Sequence, residues 1–183
     1  WKICMAKIPK IIHQIWIGPK KMPIDLMNSW KEKNPTFEHR IWTDNPTGDQ
    51  LPIPGNLVNQ RKIDQIEEYA GKADIIRYEL LKRFGGFYAD ADSRALKPLE
   101  DYFFERDSFA VFENETVRGN LVANGYIGAT KNNELMTMLV NGISKKKVSQ
   151  KETGLMAWQT VGPMYFTETI MQHSYSKIDI FPS

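Results

Sequence analysis

Apolar and polar positions along the chain change period several times, and each change predicts an element. Ile11 to Ile17 is a β-branched apolar run closed by Gly18-Pro19, the pattern of a buried strand. Ile24, Met27 and Trp30 recur at helical spacing between Pro23 and Asn34, and Pro35 ends that helix. Phe37 to Thr43 alternates and predicts a second strand, closed by Asp44-Asn45-Pro46. Asn45 to Asn56, rich in proline and glycine, reads as a loop. Gln60 to Phe84 is helical in pattern, with a break expected near Gly71 and a stop at Gly85-Gly86. Phe87 to Asp92 reads as a short strand running into a polar turn. Ser108 to Glu113 and Val122 to Ala129 are further strands. Asn133 to Gly142 and Gly154 to Met171 are helices, the second broken at Gly162-Pro163. Ile178 to Ser183 reads as a strand entering a turn. Strands alternating with helices predict an α/β layer fold with a partly parallel sheet.

Composition narrows the class. With 183 residues, 42% hydrophobic and 25% charged, the chain fits one globular domain. A balance of 24 Lys+Arg against 22 Asp+Glu gives a net charge of +2, without the basic excess of a nucleic-acid binder. The one cysteine, Cys4, excludes an internal disulfide and a Cys-rich zinc site. No apolar run approaches the roughly 18 residues of a membrane span, and no signal-peptide pattern opens the chain. The sequence starts at Trp1, so it is read as an excised piece or as carrying a tag or linker remnant at residues 1–6. Lys145-Lys146-Lys147 reads as a solvated surface loop.

The candidate chemistry lies between Ala73 and Asp92. Asp90 and Asp92 are two apart, and on a strand they would present two carboxylates to one face. Neighbouring carboxylates repel unless a cation or donor lies between them, and oxygen ligands suit Mg²⁺ or Mn²⁺. An isolated Asp-x-Asp is also what a polar turn offers. Here it follows an apolar helix and a Gly-Gly turn, at the carboxyl end of a strand, where open α/β sheets place ligands. Asp74 and Arg77, three apart on that helix, share a face and are either a surface ion pair or part of the same site. His13, His39, Trp30 and Trp42 are read as structural, filling or bracing the core.

The block from Ala-Asp-Ile-Ile-Arg-Tyr at Ala73 to Tyr-Ala-Asp-Ala-Asp at Tyr88–Asp92 resembles the DXD-motif sugar transferases of glycosyltransferase family 32. That group includes yeast-type initiating α-1,6-mannosyltransferases, bacterial capsular sugar transferases and, distantly, the glucosyltransferase domains of large clostridial toxins. Ile8 to Gly18 is similar to the family's first strand. Trp30, Asn34-Pro35, Glu38, Trp42-Thr43-Asp44, Asn124 to Ala129 and Gly162-Pro163 follow in the family's order.

The resemblance implies a GT-A fold, a nucleotide-sugar-binding α/β/α sandwich with a mostly parallel central sheet, as one catalytic domain over residues 1–183. It implies a retaining hexosyltransferase acting on a UDP- or GDP-linked donor and a glycan or other hydroxyl acceptor, with Mn²⁺ or Mg²⁺ and no nucleic-acid partner. Polysaccharide biosynthesis is the implied setting, in the cytoplasm or on the cytosolic face of a membrane, or in a lumen if this is an excised catalytic domain. Carried onto this sequence, Trp16 would lie against the base, and Asp74 and Arg77 would hold the sugar. Asp90 would face the ribose or sugar and the metal, Asp92 would ligate the metal, and Asn124 would be a donor- or acceptor-side contact. Family members often continue to a His- or Trp-containing segment that completes the metal site; this sequence ends before it, so it is read as an unusually short protein, as truncated at the C-terminus, or as using another residue there. Two rival readings are an inactive nucleotide-sugar or carbohydrate-binding module and a haloacid-dehalogenase-type phosphatase. The phosphatase pattern wants Thr or Val where Arg94 stands.

Overall fold

The computed structural model describes residues 7–183, so the expected tag or linker remnant at 1–6 lies outside the described residues. Seven strands form one sheet: β1 (Ile11–Trp16), β2 (Glu38–Thr43), β3 (Leu51–Pro52), β4 (Gly86–Ala89), β5 (Ser108–Phe112), β6 (Val122–Ala129) and β7 (Ile178–Phe181). Their order is β3-β2-β1-β4-β6-β5-β7. Pairings are parallel except where β6 runs antiparallel between β4 and β5, so the sheet is mostly parallel as expected.

Side-chain alternation sorts the strands into two apolar faces. Ile15 of β1, Trp42 of β2, Tyr88 of β4 and Ile127 of β6 pack under helices α3 (Tyr69–Phe84), α5 (Glu134–Lys145) and α8 (Pro163–Gln172). Ile12, Phe87, Ala89 and Phe109 pack on the other face against Trp30 of α1 (Ile24–Lys33) and Phe104 of a short 3-10 helix (Asp101–Glu105). The result is three layers, α/β/α. Among the described residues no helix is long and apolar enough to cross a membrane.

The two strand histidines are structural. His13 is fully buried, its Nε2 lies 2.8 Å from the Gly85 carbonyl oxygen, and its Nδ1 accepts from Trp42 Nε1 at 3.1 Å. That pairing fixes a neutral ring, and burial lowers its pKa to about 4. His39 lies 2.8 Å from Gln14 Oε1, and burial likewise lowers its pKa to about 4.

Gly85 and Gly86 make the crossing from α3 into β4. Both have positive φ, 66° and 111°, and a Cβ on Gly86 would stand 2.6 Å from the Ile11 carbonyl oxygen. This close crossing brings the last turns of α3 onto the strands that carry the acidic motif.

The helix break expected near Gly71 falls earlier. The first helix of that region, α2 (Gln60–Gln65), ends at Ile66, which is extended and buried, and α3 begins at Tyr69. Gly71 sits inside the first turns of α3, where its bare Cα admits α7 (Ala157–Thr160). The expected Gln60–Phe84 helix is thus divided by packing, and its glycine is a contact point. The loop expected over Asn45–Asn56 holds the short strand β3, paired parallel to β2 through Trp42 and Thr43.

A methyl group at residue 71 would lie 2.4 Å from the Ala157 Cβ. Gly71→Ala should therefore destabilise the fold by about 1–3 kcal/mol through overpacking. Helix propensity alone would have it stabilise by about 1 kcal/mol. A urea titration of the two proteins distinguishes the outcomes by the direction in which the midpoint moves.

Candidate active site

The carboxyl ends of β1 and β4 open onto a cleft of about 610 Å³, lined among others by Trp16, Tyr69, Asp74, Arg77, Asp92 and Trp158. Its floor is a buried polar network. Asp74 and Arg77, one turn apart on α3, pair at 3.0 Å with only 9% and 6% of their side chains exposed. The pair is therefore no solvated surface bridge. Arg77 Nη1 donates to the Asn124 carbonyl oxygen at 2.6 Å and lies 3.3 Å from Asp90 Oδ1. The guanidinium sits over the Tyr88 ring, 4.3 Å from its centroid.

Asn124 holds the other side of the network. Its Nδ2 donates to Asp74 Oδ1 at 2.8 Å and to the Tyr78 hydroxyl at 3.0 Å, and that hydroxyl donates to the Val161 carbonyl oxygen at 3.0 Å. Asp74 Oδ1 thus takes both Asn124 Nδ2 and Arg77 Nη2. Among the described residues Oδ2 takes none, although a Cβ on Gly162 would approach it to 2.9 Å. A carboxylate oxygen left free at a cleft floor can accept hydrogen bonds from ligand hydroxyls.

Asn124 reaches this position through an irregularity in β6. Ala110 of β5 pairs with Ile127, whereas Val111 pairs with Ala123, so Asn124, Gly125 and Tyr126 bulge out between them. The Gly125 carbonyl accepts from the Asp90 amide at 2.9 Å. A Cβ at residue 125 would meet Asp90 Oδ2 at 2.3 Å, so a side chain there would push the Asp90 carboxylate aside.

Asp90 and Asp92 do not share a strand face as expected. β4 ends at Ala89, and a turn closes where the Ser93 amide donates to the Asp90 carbonyl at 3.1 Å. Ala91, between the acids, is buried with Met27 and Ile41, which pulls the chain out of the pleat. α1 braces the turn from beneath: Trp30 Nε1 donates to Ser93 Oγ at 3.2 Å, and Ser29 Oγ accepts from the Ala95 amide at 2.9 Å. Asp90, 40% exposed, leans on Arg77, and Asp92 is exposed at the cleft wall.

Among the described residues no three His, Cys, Asp or Glu side chains converge on one point. What the motif offers is two carboxylates beside a cleft. That donor chemistry fits a hard divalent cation completing its shell with water and ligand phosphates.

Trp16 lines the cleft at the end of β1, with its indole N–H donating to the Lys20 carbonyl at 2.9 Å. Trp30 and Trp42 are buried in the core as expected. Sequence reasoning missed Tyr88, Tyr69 and Trp158. The exposure of Trp158 and Tyr69 on polar helical segments, 39% and 49%, has no counterpart in the apolar pattern that located the core.

This architecture is that of the GT-A glycosyltransferase domains. The glycosyltransferase PaToxG superposes with a TM-score of 0.70 at 21% identity, covering 92% of this chain and 70% of that one. The UDP-bound glycosyltransferase domain of the YGT toxin gives 0.63 at 11%, covering 96% and 80%. The catalytic domain of Clostridium novyi alpha-toxin gives 0.68 at 10%, covering 91% and 73%. Residues 5–151 match the capsular polysaccharide synthesis protein family, and the chain belongs to it. Curated relatives include an uncharacterized glycosyltransferase of Acanthamoeba polyphaga mimivirus, 28% identical over 91% of this chain and 66% of its own length. Inositol phosphoceramide mannosyltransferase 3 of Schizosaccharomyces pombe is 26% identical over 88% and 44%. Subversion of eukaryotic traffic protein A of Legionella pneumophila is 24% identical over 79% and 26%. The chain therefore spans from about a quarter to two thirds of the length of these relatives. The resemblance expected from the sequence blocks extends in sequence to mannosyltransferases and in fold to toxin domains.

Burial raises the Asp74 pKa from 3.8 to about 6, outweighing the opposing pull of Arg77 and Asn124. The folded protein thus holds this proton more tightly than the unfolded chain. The contribution to stability is full below 3.8 and is lost as pH rises through about 6. Carbon-13 NMR of the ligand-free protein should find the Asp74 carboxyl titrating near 6. Asp74→Asn should remove the gain in stability that accompanies acidification from 6 towards 3.8. A midpoint at the ordinary aspartate value would contradict the burial argument.

Proposed function

We propose that the cleft binds a nucleotide-diphosphate hexose, UDP- or GDP-linked, and transfers the hexose to a hydroxyl acceptor with retention of anomeric configuration. The observation that carries this reading is the buried Asp74–Arg77–Asn124 network at the floor of a cleft whose wall holds Asp90 and Asp92. Trp16 offers a flat apolar face for the base. Asp74, through its free Oδ2, accepts from vicinal sugar hydroxyls. Arg77, already fixed by its partners, presents a rigid cationic edge near the developing charge. The likeness to a UDP-bound toxin domain and to curated glycosyltransferases supports the assignment.

Charge argues for an accompanying cation. The cleft lining carries Lys20 and Arg77 against Glu68, Asp74, Asp90 and Asp92. A diphosphate would meet a carboxylate excess there, and Mn²⁺ or Mg²⁺ held by Asp92 and Asp90 would offset it and the charge that grows on the leaving group. In the transfer, the bond from the anomeric carbon to the diphosphate oxygen breaks, with its electron pair leaving on the diphosphate. The acceptor oxygen bonds to the same face of that carbon, and its proton passes to the departing diphosphate. Arg77 and Asp74 hold the hexose so that this face meets the acceptor. Asp90, restrained by Arg77 and the Gly125 carbonyl, keeps the motif in register with the sugar.

The test is hydrolysis and transfer across UDP- and GDP-hexoses, with Mn²⁺ or with a chelator. Turnover should require the metal. Asp92→Asn should keep the fold, because a turn tolerates asparagine, yet lower turnover about a hundredfold or more. Arg77→Ala should cost about tenfold to a hundredfold. Proton NMR of the product should show the donor's anomeric configuration. An inverted linkage removes the retaining step, and a donor bound but never cleaved by the wild type would make the protein a binding module.

A further inference from the structure

α7 is fastened to α3 at both of its ends. At its start the Ala157 amide donates to Glu68 Oε1 at 3.1 Å, and the Ala157 methyl presses on the bare Cα of Gly71. At its end the hydroxyl of fully buried Tyr78 donates to the Val161 carbonyl oxygen at 3.0 Å. Gly71 and Tyr78 lie about two turns apart on one rigid helix. A helix of 4 residues is too short to sustain itself, so these contacts set where α7 sits.

The side chain that α7 brings to the cleft is Trp158, which lines it and is exposed. Trp16, Trp30 and Trp42 each donate the indole N–H to a protein group, whereas that of Trp158 meets no acceptor among the described residues. The point where Gly162 would carry a Cβ lies 2.6 Å from the Trp158 Cα and 2.9 Å from Asp74 Oδ2. The Trp158 backbone and the free carboxylate oxygen thus stand on either side of a gap that only glycine leaves open. An indole offers one donor and a flat apolar face, and Asp74 Oδ2 offers an acceptor. A pyranose, with its hydroxyls and its apolar C–H face, can engage all three.

We infer that Trp158 contacts the hexose of the bound donor across from Asp74, and that Tyr78 is the positioning residue that holds Trp158 there. The inference rests on the sugar-transfer reading. Tyr78 is suited to this role because its hydroxyl joins three elements, accepting from Asn124 Nδ2 of β6 at 3.0 Å while donating to Val161. Removing that one oxygen leaves the Val161 carbonyl unpaired and loosens the end of α7. The ring would remain stacked on Phe166 of α8, with centroids 6.1 Å apart and planes at 17°.

The experiment titrates the full chain, nitrogen-15-labelled at its tryptophan indoles, with UDP, UDP-glucose, GDP and GDP-mannose in the presence of Mn²⁺. The Trp158 indole signal, assigned by its loss in Trp158→Phe, should shift with a sugar nucleotide and stay still with the matching bare nucleotide. Trp158→Ala should weaken the sugar nucleotide about tenfold and leave the bare nucleotide as it was. Tyr78→Phe, its fold verified by circular dichroism and melting, should weaken the sugar nucleotide about fivefold with the same selectivity. In the double variant the two losses should not multiply, because Tyr78 acts through Trp158. Losses that do multiply would mean that the hydroxyl acts through Asn124 instead, which overturns the positioning role. If bare nucleotides move the Trp158 signal as far as sugar nucleotides do, or if Trp16 responds while Trp158 stays still, the sugar contact is overturned with donor binding intact. If none of the four ligands binds, the donor reading itself fails and this inference with it.

Discussion

A guanidinium taken out of water must find its partners inside the protein, and the placement of Arg77 organises everything around the cleft. It draws on Asp74 from its own helix, Asp90 from the end of β4, the Asn124 carbonyl from β6 and the ring of Tyr88. Three elements, α3, the end of β4 and the more distant β6, are tied at one cation. Without that cation, Asp74 would be a buried carboxylate with only Asn124 to satisfy it. Without the carboxylates, the guanidinium would be stranded. The polar floor is therefore coherent only as a unit, and the apolar layers around it exist to bring its members into range.

The same geometry fixes the acidic motif at the edge of the cleft. Asp90 is held by its amide to the Gly125 carbonyl and by its carboxylate to Arg77. The turn that follows it is braced from beneath by Trp30 and Ser29. The cleft lining mixes cations, Lys20 and Arg77, with the carboxylates Glu68, Asp74, Asp90 and Asp92, so no single charge dominates it.

Much of this was legible in the chain. β1 follows from its β-branched apolar run, β2 from alternation, and the Asp74–Arg77 pair from helical spacing. What was not legible depends on partners rather than on local pattern. Gly71 looks like a helix breaker until Ala157 is seen pressed against it. Asp90 and Asp92 look like strand neighbours until the burial of Ala91 forces the turn. The bulge at Asn124–Tyr126 has no signature of its own, because register is a property of two strands and only one can be read at a time. Trp158 and Tyr69 were lost because a rim aromatic does not join the periodic stripe that marks a core.

Asn124 serves the site twice, through its side chain toward Asp74 and through its main-chain oxygen toward Arg77. The second role belongs to whichever residue occupies that place, and so does the Gly125 carbonyl that anchors Asp90. Replacing side chains one at a time strips away only half of what this stretch contributes. Altering the length of the strand between Ala123 and Ile127 would strip away all of it at once. The geometry of the cleft floor is in this sense written in the spacing of the chain as much as in the identity of its side chains.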